Sequence, residues 1–340
     1  MNAERFHAIT KPYAALSIAL VGDFCLDRYL EIDSERKEVS IETGLAVHNV
    51  VRVRSQPGGA GTILNNLVAL GVGEIHTVGF CGEDGEGFEL RRALNAMRGV
   101  RTRYFVETPE RRTFTYCKPL VVEVGKPPVE LNRLDSKNWS PTPELVQTRL
   151  AQAVTELASK VDSIILLDQV DVAETGVITP SLLDAVGAVA KARPGLLIIA
   201  DSRRGLRGFP PLSYKMNRAE LAALTGTGPA ATPDEVKATA ATLAHMLGHH
   251  VFVTLSEYGL VGASADGVSD HVPCHPLRGP IDVVGAGDAV TANLAAALAA
   301  GATMRESLEI ANAAASIVVH QLGTTGTAEV EEIGRLLRKA

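Results

Sequence analysis

The feature that most limits the fold of this 340-residue chain is a recurrence of short apolar runs, at 16–22 (LSIALVG), 74–80 (EIHTVGF), 163–168 (SIILLD), 196–201 (LLIIAD) and 251–256 (VFVTLS). Most are rich in Val, Ile and Leu, all are too short for a buried helix, and helix-like stretches separate most of them. Strands of this kind joined by helices belong to a mostly parallel sheet covered on both faces, so the expected class is α/β. Ligands of such sheets lie beyond the carboxyl ends of the strands. Asp23, Asp168, Asp201 and Ser256 stand at those ends.

A different texture fills residues 28–55 and 101–135, where RYLEID, GLAVHNVVRVRS, RTRYFVET and RTFTYCKPLVVEV alternate polar and apolar residues as antiparallel strands do. We expect them to form a small β-rich lid inserted into a single domain spanning residues 1–340. Such a sheet cannot stand alone in water, so it covers the active site, a second copy of the chain, or both. A homodimer through the lid is the expected assembly. The net charge of −6 offers no basic excess for a nucleic-acid backbone and points to small-molecule ligands. The apolar run at 16–22 is far too short to span a bilayer, so no membrane partner is expected. Four cysteines without a Cys-x-x-Cys pair fit a reducing, cytoplasmic setting better than a disulfide framework or a zinc site.

Three glycine-bearing segments and one polar helix start hold the candidate chemistry. In 282–301 (DVVGAGDAVTANLAAALAAG) a helix opens near Gly285, and Gly285, Ala286 and Gly287 are small enough to let an anion approach their amides. Asp288, in the first turn, is either a dipole-stabilising carboxylate or a base for an attacking hydroxyl. In 55–71 (SQPGGAGTILNNLVALG), Pro57, Gly58 and Gly59 precede a helix that carries Asn66. Bare backbone and an amide side chain suit sugar hydroxyls, although Pro-Gly-Gly by itself is a turn signal. In 21–29 (VGDFCLDRY), Asp27 is placed to reach under the lid as an acceptor for two hydroxyls; a plain surface carboxylate is the equally simple reading. In 214–224 (YKMNRAELAAL), Asn217 and Glu220 have the spacing of a capping box, and the sharper alternative is a water-mediated hold on Mg²⁺ beside nucleotide phosphates.

Taken in this order, the four segments resemble the ribokinase-like (PfkB-type) carbohydrate kinases over nearly the whole chain. The family's Asp-Thr-x-Gly-Ala-Gly-Asp motif stands here as Asp282 to Asp288 with Val283 in place of the threonine. Its Asn-x-x-Glu motif matches Asn217 and Glu220, and its early Gly-Gly matches Gly58 and Gly59. Within the family, the segments are most similar to the kinase part of ADP-heptose synthases, which acts on D-glycero-D-manno-heptose 7-phosphate at O1. Their Gly-Asp-x-x-Leu-Asp-Arg-Tyr start is intact at Gly22 to Tyr29, and their Pro-Gly-Gly-Ala at Pro57 to Ala60. Thr62 replaces the usual Asn, and the usual Ser-Asp-Tyr-Gly-Lys-Gly stretch reads LLDQVDVAETG at 166–176, keeping Asp168. No His-x-Gly-His signature is present, so a nucleotidyltransferase domain, and with it the bifunctional form, is not expected.

The resemblance implies a sugar kinase using ATP. On it, Asp27, Gly58, Gly59, Asn66 and Asp168 hold the sugar, and Asp288 is the base beside an anion hole of Gly285, Ala286 and Gly287. Thr254, Ser256 and Gly259 line the nucleotide with Asn217 and Glu220, which organise Mg²⁺ through water. Asp282 and the Val284 carbonyl would take a monovalent cation such as K⁺. Arg28, Lys118, Arg133 and Arg203 are candidates to meet a phosphate on the acceptor, and the sequence does not choose among them. Two other readings stand beside this one. A kinase of another sugar or nucleoside is favoured by the altered segment after Asp168, and a non-catalytic sugar or nucleotide sensor is disfavoured by the retained Asp288 and its glycines.

Overall fold

The computed structural model describes residues 1–228 and 232–338. Helix α1 (Ala3–Thr10) leads into β1 (Ser17–Gly22), after which the chain leaves the body as a long hairpin, β2 (Phe24–Val39) and β3 (Ala46–Gly59). Helix α2 (Ala60–Ala69), β4 (Glu74–Gly82), α3 (Gly85–Ala96) and the short strands β5 (Val100–Arg101) and β6 (Phe105–Thr108) follow. A second excursion comprises β7 (Thr115–Val122), β8 (Val129–Glu130) and β9 (Leu134–Ser136). Then come α4 (Glu144–Leu157), β10 (Ser163–Asp168), α5 (Pro180–Ala192), β11 (Leu197–Ser202), β12 (Ser213–Asn217), α6 (Arg218–Thr225), α7 (Pro233–Leu247) and β13 (Val251–Thr254). The pair β14 (Leu260–Ala263) and β15 (Ser269–Val272) and the helices α8 (Ala286–Ala299), α9 (Met304–Val318) and α10 (Val330–Leu337) close the described chain.

The central sheet runs β15-β14-β13-β12-β11-β10-β1-β4-β5, with β6 also on β4. It is parallel except at β14 and β15. Period-two alternation along β1 explains its double burial: Ile18 and Leu20 enter one apolar cluster with α2, α8 and α9, whereas Ala19 and Val21 enter the other with α4, α5 and α7. Helix α8 is buried along most of its length, from Ala289 to Ala297, because its small side chains let α2 and α9 approach. Local signals set the helix starts, among them Thr179 capping α5 with Pro180 at its first position and the Thr303–Glu306 capping box of α9. No helix among the described residues is long and apolar enough to cross a membrane.

The second, smaller sheet has the order β3-β2-β7-β8, with β9 on β7. The stretch RTRYFVET, expected in this lid, lies elsewhere. Val100–Arg101 and Phe105–Thr108 pair in parallel with β4 at the edge of the central sheet, where Phe105 meets Phe24 edge-on at 5.3 Å. Its alternation is that of an edge strand with one face on the core. The lid's second excursion therefore begins at Thr115 rather than near residue 101. β12 was not anticipated either, since Lys215 and Asn217 make SYKMN read as polar.

Candidate active site

In the central sheet β1 and β10 are neighbours, but the next strands in sequence run outward in opposite directions, and a crevice opens at the carboxyl ends of such a pair. Asp23 sits at this point, buried. Its Oδ2 accepts the amides of Gln169 (2.8 Å) and Val170 (3.3 Å), and its Oδ1 accepts that of Val177 (2.6 Å). Burial and the charge of Asp168 push its carboxyl up to about 7 against those three amides. Asp23 thus ties down the loop after β10, while its carbonyl accepts the Ala60 amide at the start of α2.

Asp288 lies half-buried in the first turn of α8. Gly285 is the N-cap, in the left-handed region at φ 83°, and no capping side chain closes the helix end. The Ala286 amide donates to the Val283 carbonyl at 3.2 Å, so the anion hole expected from three amides narrows to Gly285 and Gly287. Beneath them Lys215 Nζ pairs with Asp201 Oδ2 at 2.8 Å, and Thr291 Oγ1 donates to the same oxygen at 3.1 Å. Lys215 Nζ stands 3.0 Å from where a Cβ on Gly287 would be. Burial acts to lower the Lys215 pKa, but the charge of Asp201, its hydrogen bond and the charge of Asp288 more than offset it. Burial, then the charges of Asp201 and Asp27, pushes the Asp288 carboxyl up to about 7 despite Lys215.

On the lid side, Asp27 is 6% exposed and a Cβ on Gly58 would lie 2.5 Å from its Oδ2, so only glycine admits the carboxylate there. Gly59 has φ 58° and is the N-cap of α2. Burial raises the Asp27 pKa, with Lys118 and Arg133 opposing. Two expected sugar ligands lie off the crevice surface. Asn66 is 0% exposed, its Nδ2 donating to the Thr62 carbonyl (3.0 Å) and towards that of Gly326 (3.5 Å), because α2 turns this position into the packing against α8 and the C-terminal segment. Asp168 is also 0% exposed, its Oδ2 accepting Ser202 Oγ and Arg204 Nη2, each at 2.8 Å. It braces the strand ends from beneath.

Asn217 and Glu220 form a complete capping box: Asn217 Oδ1 accepts the Glu220 amide at 2.9 Å and Glu220 Oε2 accepts the Asn217 amide at 2.7 Å. Register places Asn217 beside Thr254 on the adjoining strand. Ser256 adopts φ 52°, unusual for a residue with a side chain, and opens a single tight turn closed by Gly259 at φ 89°. Asp282 Oδ1 accepts the Val284 amide at 3.0 Å. Among the described residues no three His, Cys, Asp or Glu side chains cluster as a metal site.

Against this geometry, the family model for pfkB family carbohydrate kinases matches residues 17–331. The chain belongs to the pfkB family of carbohydrate kinases. As such it is a phosphotransferase with an alcohol group as acceptor. Among curated relatives, the bifunctional protein HldE of Pelobacter propionicus is 32% identical over 336 residues, or 98% of this chain and 66% of that protein. HldE of Gluconobacter oxydans is 32% identical over 321 residues, 94% and 64% of the two chains. The kinase thus spans a little under two thirds of these relatives' length. Among solved structures, phosphofructokinase-2 of Escherichia coli in complex with substrates and products superposes with a TM-score of 0.72 at 20% identity, covering 95% of this chain and 99% of that one. The ribokinase of Arabidopsis thaliana complexed with ribose and ATP gives 0.67 at 20% identity, with the same coverages. These establish a ribokinase-like fold.

Three groups of this pfkB kinase escaped the motif reading. Lys215 is the lone cation of β12, among Ser, Tyr, Met and Asn, and only once that strand is seen does its burial call for an acid such as Asp201. Arg204 differs from its neighbour Arg203 in meeting Asp168 rather than Asp171. Thr325, which packs at 3.4 Å from a notional Cβ on Gly285 beside Thr62, reaches the site through the fold alone.

Proposed function

We propose that this domain transfers the γ-phosphoryl group of ATP to a sugar hydroxyl, O1 of D-glycero-D-manno-heptose 7-phosphate. The observation that carries the reading is Asp288, a half-buried carboxyl pushed up to about 7, at an uncapped helix N-terminus and near enough to Asp27 for their charges to interact. A base with that pKa, hydrogen-bonded to the acceptor hydroxyl, removes its proton as the new P–O bond forms. The Gly285 and Gly287 amides face charge that grows on phosphoryl oxygens, and Lys215 offsets the neighbouring carboxylates. MgATP, when bound, supplies the phosphoryl group and the metal charge that neutralises its phosphates. Glu220 keeps Oε1 outside its capping box as an acceptor for a water on Mg²⁺, and Asn217 keeps its amide NH₂ as a donor to a phosphate oxygen beside it. Thr254, Ser256 and Gly259 form the nucleotide wall of the proposal.

Asp27 with the Gly58–Gly59 backbone holds the sugar, and Asp168 and Asn66 act from behind the crevice surface. The heptose is supported by the intact Gly22–Tyr29 and Pro57–Ala60 segments together with 32% identity to HldE proteins over most of the chain. ADP release from MgATP over a panel of heptose 7-phosphate, unphosphorylated sugars and nucleosides tests it, with Asp288→Asn as control. Turnover of the heptose that collapses in the variant is the expected result. Turnover of another acceptor replaces the substrate, and tight nucleotide binding without turnover of any acceptor replaces the enzyme with a sensor.

Asp282 Oδ2 and the Val284 carbonyl are the proposed seat of a monovalent cation, tested by turnover in K⁺ against tetramethylammonium. We place the enzyme in the cytoplasm, where ATP is made, and pair two copies through the lid's outer side, where Val53 and Leu134 are exposed. A monomer by light scattering at micromolar concentration overturns that pairing.

A further inference from the structure

The lid turns one particular face to the crevice. On it Asp27 and Tyr29 of β2 stand beside Tyr116 and Lys118 of β7 and beside Gln56 and Arg54 of β3, so these side chains share one side of the sheet. Gln56 shows where that side looks: its Nε2 donates to Thr325 Oγ1 at 2.7 Å, and Thr325 packs beside Gly285. Two aromatic rings on this face carry cations. Tyr29 lies between Arg54 (4.8 Å to the ring centre) and Lys118 (5.0 Å), and Tyr116 faces Arg133 (5.2 Å) and Lys137 (5.7 Å).

The partners of these cations separate them. Arg28, on the opposite side of β2, is held by Glu86 (3.3 Å) and Glu89 (2.9 Å). Arg203 meets Asp171 at 3.3 Å, Lys137 meets Asp171 at 2.7 Å and Arg54 meets Glu31 at 2.7 Å. Arg133 pairs with Asp135 at 2.6 Å at the lid's rim, 45% exposed. Lys118, half-buried, has no carboxylate within 4.0 Å among the described residues. Its charge and that of Arg133 both act on Asp27. The ammonium contacts Tyr29, and the negative charge it feels is that of Asp27, the proposed sugar ligand; with no carboxylate paired to it directly, it is free to take an anion on the acceptor.

We infer that Lys118, with Arg133 at the rim, binds a phosphate group carried by the acceptor, so that the enzyme takes a sugar phosphate gripped by its phosphate at the lid and by its hydroxyls at Asp27. This rests on the reading of the crevice as a sugar site, but not on the identity of the sugar. A charge-assisted hydrogen bond to phosphate predicts binding of a sugar phosphate tighter than its parent sugar by about ten- to a hundredfold.

Calorimetry with the nucleotide site filled by a non-hydrolysable ATP analogue and Mg²⁺ tests this on two pairs, heptose 7-phosphate against heptose and fructose 6-phosphate against fructose. The expected result is a preference for at least one phosphorylated member that Lys118→Met abolishes and Lys118→Arg largely keeps. A purely packing role for Lys118 weakens both members of a pair alike in Lys118→Met, and that result overturns the inference. So does equal binding of the two members by the wild type, or a preference that survives in Lys118→Met, or no binding of any phosphorylated member. A Lys118-dependent preference for fructose 6-phosphate with none for heptose 7-phosphate keeps the inference and removes the heptose from the proposed function.

Discussion

Replacing Asp288 by Asn should stabilise the protein while disabling it. In the folded chain the carboxyl moves from its ordinary 3.8 to about 7, first by burial and then by the charges of Asp201 and Asp27. At about 1.4 kcal/mol per pH unit, that displacement weighs about 4 kcal/mol against the ionised form. Solvent at the half-buried side chain cuts the figure to about 2 kcal/mol. Because the folded pKa lies above the unfolded one, the native state binds the proton more tightly between pH 4 and 7. The penalty is therefore absent below about pH 4, grows as pH rises, and is complete above about pH 7. Asn carries no charge and escapes it. Urea unfolding of the apo protein at pH 8 should show Asp288→Asn more stable by about 2 kcal/mol, with the gap closing as pH falls towards 4. The same variant should lose about 10²- to 10⁴-fold in turnover, and the wild-type rate should fall on the acid side of about pH 7. A variant no more stable than wild type at pH 8, or a gap independent of pH, refutes the account of a carboxylate held ionised against its surroundings.

Asp23 has the same raised pKa of about 7 but accepts three amides, so in Asp23→Asn the relief of a buried charge is opposed by an NH₂ group turned towards at least one of those donors, and the gain expected for Asp288→Asn at pH 8 should be cut by about 1–3 kcal/mol in the same unfolding assay. Lys215→Met leaves Asp201 buried with only Thr291; urea midpoints should fall by the equivalent of about 3–5 kcal/mol, and the acid limb of the pH–rate profile should move upward, since Lys215 is the group that lowers the Asp288 pKa. Gly58→Ala inserts a methyl group 2.5 Å from Asp27 Oδ2 and should raise KM for the acceptor with little change in KM for ATP, as steady-state kinetics on both substrates will show.

The strands at 16–22, 163–168 and 196–201 were legible because their apolar runs bury on both faces, and β1 shows why the runs lack alternation: its two sides feed two different cores. β12 was not legible. Lys215 reads as polar until Asp201, from another strand, is seen to neutralise it, and that partnership exists only in three dimensions. The same limit explains Asp168 and Asn66. A motif says which residues occur together but not which way a buried side chain turns, and both are 0% exposed. The Asn217–Glu220 spacing announced its capping box outright, because that interaction is local. The lid's extent was misjudged at 101–108 since an edge strand and a lid strand share the same alternation.

Helix α8 carries the proposed anion hole at one end and lies inside the molecule for most of its length. Its first turn runs straight into buried residues from Ala289 onward, so the two glycine amides and Asp288 form a jaw anchored on the core. Adjustment to a given acceptor then falls to the lid, which reaches the jaw's neighbourhood through the Gln56–Thr325 bond. In evolutionary terms, a family built this way can exchange acceptors by redrawing the inner face of a small sheet, leaving the phosphoryl-transfer end untouched.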